Sequence, residues 1–171
     1  LDKHPNKVSA AEIAQFIDGP GYPDIAPRTK SQRFIAIDQL RKDWLAGGVK
    51  LDSIDTSKFS TQEWIRLIEG LPASVTPAQL AQLDEQFELS SAGNSEIAFA
   101  WYSQAIRRDY QPAFEPMADF LQRIGRRKFV LPLFTALMEN AAHHRYARET
   151  YAKARPGYHP ITRSSVDEVL K

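Results

Sequence analysis

Residues 60–71 read STQEWIRLIEGL and predict one complete amphipathic helix. Ser60 and Glu63 have the spacing of a capping box, in which each side chain accepts a hydrogen bond from the backbone amide of the other residue. The apolar residues recur every three or four positions, which places them on one face of the predicted helix. They are Trp64, Leu67, Ile68 and Leu71.

A helix start followed by an apolar stripe returns at regular intervals along the chain. The starts at residues 60, 94 and 128 are 34 residues apart, and each interval contains two predicted helices. This is the period of a helical-hairpin solenoid, in which neighbouring pairs bury each other's apolar faces. The residues do not repeat the tetratricopeptide consensus. Because strand patterns are weak throughout, we predict an all-α fold of stacked antiparallel helices.

The sequence before residue 60 predicts two further helices with a loop between them. Ser9 and Glu12 form a second capping box ahead of a short helix. The apolar spacing over 28–46 predicts a longer helix. Between these helices, residues 18–27 (DGPGYPDIAP) contain three prolines and two glycines, and that composition excludes a helix.

We expect one helical domain preceded by a connecting segment. Residues 1–27 are assigned to a linker, the short helix and the loop, and residues 28–171 to the helical domain, with about nine helices in all. A chain of this length buries enough surface to fold as a single domain. The sequence starts at Leu1 and not at methionine, so we expect it to be a piece of a longer polypeptide.

The composition is that of an ordinary globular protein, with 43% hydrophobic and 25% charged residues. The net charge of +1 creates no global field that would attract nucleic acid or an anionic membrane. No run of apolar residues approaches the roughly 18 that a membrane-spanning helix needs. The absence of cysteine excludes disulfides and thiolate metal sites, and it fits a reducing compartment.

No motif in the sequence predicts a catalytic or a metal site. His143 and His144 are adjacent, so they point to different faces of a helix and cannot bind one metal ion together. We expect both histidines to be exposed near a helix start. The patterns H-E-x-x-H and G-x-S-x-G are absent, and no glycine-rich phosphate loop is present.

Aromatic and cationic residues alternate near residue 101, a composition that proteins use to stack nucleic-acid bases. Trp101, however, lies on a predicted core stripe, and Arg107 and Arg108 lie in the last turn of a helix, where the helix dipole favours cations. We interpret these residues as structural. RNA binding is retained as a third hypothesis, against which the net charge argues.

Residues 122–134 (QRIGRRKFVLPLF) place four cations at the junction between two predicted helices. Arg123 falls in the last turn of the first helix, and Gly125 is predicted to be its left-handed cap. Arg126 and Lys128 are two residues apart, so in an extended turn they project to the same side. An arginine fork and a lysine point charge could together bind one carboxylate. The alternative is a solvated corner between helices.

Four segments, in order along the chain, resemble the C-terminal domain of leukotriene A-4 hydrolase and its aminopeptidase relatives. The first is Phe16 to Pro27 (FIDGPGYPDIAP). The others are Gly93 to Trp101 (GNSEIAFAW), Gly125 to Phe134 (GRRKFVLPLF) and Thr150 to Thr162 (TYAKARPGYHPIT). This resemblance extends from about residue 16 to the end of the chain.

The resemblance implies a right-handed superhelix of stacked antiparallel helices, similar to armadillo and HEAT folds. It implies an upstream zinc catalytic domain in the same polypeptide, which would make the parent a cytoplasmic zinc metallo-aminopeptidase acting on short peptides. By the same resemblance, Arg126 and Lys128 bind the carboxylate of the substrate while the helical domain shapes one side of the active-site cleft. The zinc ligands and catalytic residues would lie upstream, with no cofactor in this segment. The alternative function is a stand-alone α-solenoid that binds a protein or peptide without catalysis.

Overall fold

A computed structural model describes residues 9–23, 26 and 30–171 of the chain. The chain divides into two compact units, Leu1–Gln32 and Arg33–Lys171. Because the predicted linker and parts of the predicted loop fall outside the described residues, the structure does not bear on them.

The first unit contains helix α1 (Ala10–Ile17), which begins where the sequence predicted. Ser9 is the N-cap, and its side chain accepts a hydrogen bond from the amide of Glu12 while the Glu12 carboxylate accepts one from the amide of Ser9. This reciprocal pair satisfies two of the amides that a helix start leaves free. The pattern of a cap followed by apolar residues therefore located this helix correctly.

Eight further α-helices follow, so the described residues contain nine helices and no strand. They are α2 (Gln32–Leu45), α3 (Thr61–Glu69), α4 (Pro77–Phe87), α5 (Ser95–Arg107), α6 (Phe114–Arg123), α7 (Arg127–Met138), α8 (His144–Ala154) and α9 (Pro160–Val169). The prediction of an all-α fold with about nine helices is confirmed. Helix α2 starts later than predicted, since Lys30 and Ser31 are not helical.

The helices of the second unit stack in two rows. In the first row, α3 packs against α5, α5 against α7, and α7 against α9. In the second row α6 packs against α8, and contacts between α5 and α6 and between α7 and α8 join the rows. Within these two rows, helices that are two apart in the chain are neighbours in space, which is the arrangement that the 34-residue repeat predicted.

The core of the second unit consists of the predicted apolar stripes. Trp101 is completely buried, and its indole Nε1 donates to Ser90 Oγ at 2.9 Å. Burying a large apolar side chain contributes roughly 1.5–3 kcal/mol, so the stripes supply most of the stabilisation. Their buried members include Leu67, Ile68, Leu71, Leu80, Leu83, Trp101, Ala105, Met117, Phe120, Leu121, Val130, Leu133, Phe134, Leu137 and Tyr151.

Three helices of this unit end at a residue with a left-handed backbone. Gly47, with a φ of 79°, follows α2. Glu88 (φ 51°) and Asp109 (φ 52°) follow α4 and α5, respectively. Residues other than glycine adopt this conformation rarely, so the sequence did not indicate a left-handed backbone at these two positions.

Candidate functional site

The N-terminal ends of α3, α5 and α7 lie side by side along one edge of the stack. The side-chain amide of Asn94, the N-cap of α5, donates to Thr61 Oγ1 at 3.0 Å in the first turn of α3. Lys128 Nζ in the first turn of α7 donates to Glu96 Oε1 at 2.5 Å in the first turn of α5. Because helices present their positive dipole ends at the N-terminus, this edge favours anionic groups.

The turn between α6 and α7 carries Arg126 at this edge. Ile124 ends α6 with an extended backbone (φ −106°, ψ 102°), and Arg126 is the extended N-cap of α7. The prediction that Gly125 is a left-handed cap is wrong, because its φ is not positive. Since Ile124 itself leaves the helix, the chain needs no left-handed residue here. The carbonyl of Gly125 instead accepts a hydrogen bond from Thr162 Oγ1 at 3.3 Å, which ties the turn to α9.

The structure brings Arg126 and Lys128 together around the ring of Phe129. Arg126 Cζ lies 5.8 Å from the ring centroid and Lys128 Nζ lies 5.1 Å from it, both within the range of a cation–π contact. Phe129 is buried, and its ring packs against those of Phe99 and Phe120. The predicted extended turn is wrong for Lys128, because this residue belongs to the first turn of α7.

The two cations differ in their partners. Lys128 is half exposed and forms an ion pair with Glu96. Arg126 is exposed, and no carboxylate of the described residues lies within ion-pair distance of it. The guanidinium of Arg126 therefore keeps its planar set of donors available for an anionic ligand.

Arg126 lines an open pocket of about 440 Å³ between the start of α5 and the turn before α7. Arg123 and Phe129 line it from the α6–α7 side, and the first turn of α5 lines it with Ser95 and Glu96. The pocket thus combines two guanidinium groups, one carboxylate and an aromatic floor. Its size and charge suit the end of an extended peptide that carries a carboxylate.

The expectation that both adjacent histidines are exposed is wrong. His143 is only 2% exposed, its Nε2 lies 2.8 Å from Asp109 Oδ1, and its ring packs edge-on against Phe114. His144 is half-buried, with Nε2 2.9 Å from the carbonyl oxygen of Met138. Both imidazoles therefore serve as hydrogen-bonding groups between helices, which a position near a helix start did not indicate.

Of the two cations at the end of α5, Arg108 points into the protein and Arg107 does not. Arg108 Nη2 donates to the carbonyl oxygens of Leu71 (2.8 Å) and Pro72 (2.9 Å), and so joins α5 to the connection between α3 and α4. Trp101 is buried and Arg107 alone is exposed. These positions leave no aromatic and cationic surface for base stacking around α5.

Within 9–23, 26 and 30–171, no three histidine, aspartate or glutamate side chains are placed to hold a metal ion. The zinc that the resemblance implies thus has no ligand set in the part of the chain that the structure describes. None of the helices described is long and apolar enough to cross a bilayer.

Sequence reasoning missed Glu96 as a member of the site. In the sequence, Glu96 stands out only as part of the segment that resembles the hydrolase family. One signal could have found it: Glu96 lies 32 residues before Lys128, which is close to one repeat. In a stacked solenoid, residues one repeat apart are neighbours in space.

The comparisons with known proteins agree with this architecture. The model of the family described as leukotriene A4 hydrolase, C-terminal, matches residues 59–170. The chain is 35% identical to leucine aminopeptidase 2 of Aspergillus terreus, over 99% of this chain and 29% of that protein. It is 25% identical to aminopeptidase B of Mus musculus, over 96% of this chain and 27% of that protein.

The fold itself matches a solved structure, that of yeast LTA4 hydrolase in complex with bestatin, with a TM-score of 0.75. That match has 22% sequence identity and covers 95% of this chain and 29% of the yeast chain. It identifies the stacked helices as an α-α superhelix. The chain spans 27% to 29% of the length of these three proteins. Because the family model covers most of the helical unit, the chain belongs to the family of leukotriene A4 hydrolase C-terminal domains.

Proposed function

We propose that this chain is the C-terminal helical domain of a zinc metallo-aminopeptidase, in which it shapes one side of the active-site cleft and binds the carboxylate end of short peptides. The family membership and the names of the aminopeptidase relatives support this proposal. The zinc ligands and the catalytic groups would lie in an upstream part of the polypeptide, which is the partner of this domain.

The observation that carries the proposal is the state of Arg126. Its guanidinium is exposed, lines the open pocket and has no carboxylate partner among the described residues. The ring of Phe129 and the extended N-cap position hold it at the positive edge of the helix stack. An arginine fork placed in this way matches the geometry of a carboxylate. Lys128 pairs with Glu96 and does not line the pocket, so in this proposal it contributes only through its positive charge at the same edge.

Replacing Arg126 by alanine in the full-length enzyme tests this role. A charge-assisted hydrogen bond contributes about 1.5–3 kcal/mol, so kcat/KM for tripeptides with a free carboxylate should fall by roughly 10- to 150-fold. Because the carboxylate anchor positions the scissile bond, we expect kcat to fall as well as KM to rise. For peptide amides, which lack the charge, kcat/KM should fall little in Arg126→Ala.

Arg127 provides a matched control in the same turn. Its Nε donates to Ser165 Oγ at 2.8 Å, which directs the side chain toward α9. Arg127→Ala removes the same charge without touching the pocket, so its carboxylate-to-amide ratio should stay near that of the unmodified enzyme. Equal effects of Arg126→Ala and Arg127→Ala on both kinds of peptide would contradict the anchoring role. An H-E-x-x-H motif in the residues encoded upstream would separate this function from that of a stand-alone solenoid.

A further inference from the structure

A carboxylate of the protein itself stands beside the proposed carboxylate anchor. Glu96 lies in the first turn of α5 and lines the same pocket as Arg126 and Arg123. Its backbone amide donates to Asn94 Oδ1 at 2.9 Å, so the N-cap fixes the start of the helix that carries it. The Glu96 side chain is 37% exposed and forms part of the lining of the pocket.

The negative charge of Glu96 opposes binding of an anionic ligand in two ways. It forms an ion pair with Lys128, and so cancels much of the field of that ammonium at the pocket. It also repels any carboxylate that approaches Arg126. Lys128 itself is directed at Glu96 and does not line the pocket.

In an aminopeptidase, this opposing charge would also affect how tightly the product is bound. Hydrolysis breaks the first peptide bond, with the hydroxyl of water going to the released acyl carbon and a proton to the new amine. The shortened peptide therefore keeps the carboxylate that Arg126 would bind. An anchor remote from the reacting bond stabilises substrate and product alike, so a stronger anchor also retains product.

We propose that Glu96 is a specificity-determining residue that limits the affinity of the pocket for peptide carboxylates, so that the shortened product is released. This inference rests on the proposed function of Arg126. Glu96 acts by its charge on the bound carboxylate and on Lys128, and it takes no part in bond breaking. It belongs to the same pocket as the anchor but has the opposite effect.

The test is Glu96→Gln in the full-length enzyme, assayed with a tripeptide and with the same tripeptide as its amide. The inhibition constant of the dipeptide product is measured alongside. Glutamine keeps the size of the side chain and can still accept from Lys128, while the charge is lost. We expect KM for the tripeptide and the inhibition constant of the dipeptide to fall together, by about two- to fivefold, the range for a partly exposed charge pair. Values for the amide should not change.

Two further variants make the test specific to the charge. Lys128→Met leaves Glu96 without its partner, so KM for the tripeptide should rise, and adding Glu96→Gln should remove part of that rise. Glu168→Gln serves as the matched control, because it removes a glutamate that pairs with Lys171 at the C-terminal end of α9. Glu168→Gln should change KM for neither the tripeptide nor its amide.

The outcomes separate this inference from the proposed function. If the unmodified enzyme prefers the tripeptide to its amide and Arg126→Ala abolishes that preference, the anchor is established. An unchanged or raised KM in Glu96→Gln then overturns the role of Glu96 alone. If neither the unmodified enzyme nor Glu96→Gln distinguishes the tripeptide from its amide, both proposals are overturned.

Discussion

Replacing Arg108 by methionine is expected to destabilise the helical unit strongly. Arg108 follows the last turn of α5, and its guanidinium donates to the carbonyl oxygens of Leu71 and Pro72 and to the side-chain oxygen of Gln104. Burial lowers the pKa of this guanidinium, and so does the neighbouring Arg107, but arginine stays charged at neutral pH. The side chain thus joins two parts of the stack by charged hydrogen bonds.

The magnitude follows from which partners the variant leaves unsatisfied. Leu71 and Gln104 are buried, so each loses its hydrogen bond without access to water, at about 1–3 kcal/mol apiece. Pro72 is exposed, and water replaces its lost bond. Arg108 Nε is buried without a hydrogen-bond partner, and removing it offsets part of the loss. We therefore expect a loss of about 2–4 kcal/mol in the free energy of unfolding.

Urea unfolding followed by far-ultraviolet circular dichroism measures this loss, with a thermal melt beside it. A loss of about 2–4 kcal/mol corresponds to roughly 5–15 °C in Tm for a unit of this size. Arg107→Met is the control, since Arg107 is the exposed neighbour and its replacement should cost less than about 0.5 kcal/mol. If the two variants lose the same small amount, the reasoning from buried carbonyl groups is refuted.

Three further substitutions probe individual contacts in the stack. Hydrogen bonds from Arg66 lower the pKa of Asp38 to about 2, so its contribution to stability is complete above its ordinary pKa of 3.8 and is lost as the pH falls toward 2. Asp38→Asn should cost about 1 kcal/mol at pH 7 in urea unfolding, and the difference from the unmodified protein should shrink between pH 4 and pH 2. His143→Ala should lower the free energy of unfolding by about 2–4 kcal/mol, because it opens a cavity against Phe114. A thermal melt should show this loss as a lower Tm. Asp109→Asn, which keeps an oxygen for His143 and a residue type that tolerates its left-handed backbone, should lose less than about 1 kcal/mol, and a loss equal to that of His143→Ala would contradict this account.

The helix starts were the most predictable part of the fold. Ser9 and Ser60 each cap a helix with the reciprocal pair that the sequence indicated. A cap depends on residues three positions apart, so its chemistry is complete within a few residues of chain. The apolar stripes were predictable for a related reason, because helical geometry alone decides which residues share a face.

The errors fall where a contact joins residues distant in the sequence. His143 is buried because α8 lies against α6, which brings Phe114 and Asp109 to its ring. Gly125 was assigned a left-handed backbone by its residue type, while the turn is in fact held by Thr162 of α9. Local propensity contains no information about such partners.

The sequence by itself determined the helices, their repeat and the two cations of the candidate site. Only the tertiary structure decided that Lys128 is paired with Glu96 while Arg126 is left available in the pocket. Charge is a property of each residue, and it can be read from the chain. The partner of a charge depends on which repeat is stacked next to it, and that is settled only when the rows of helices pack.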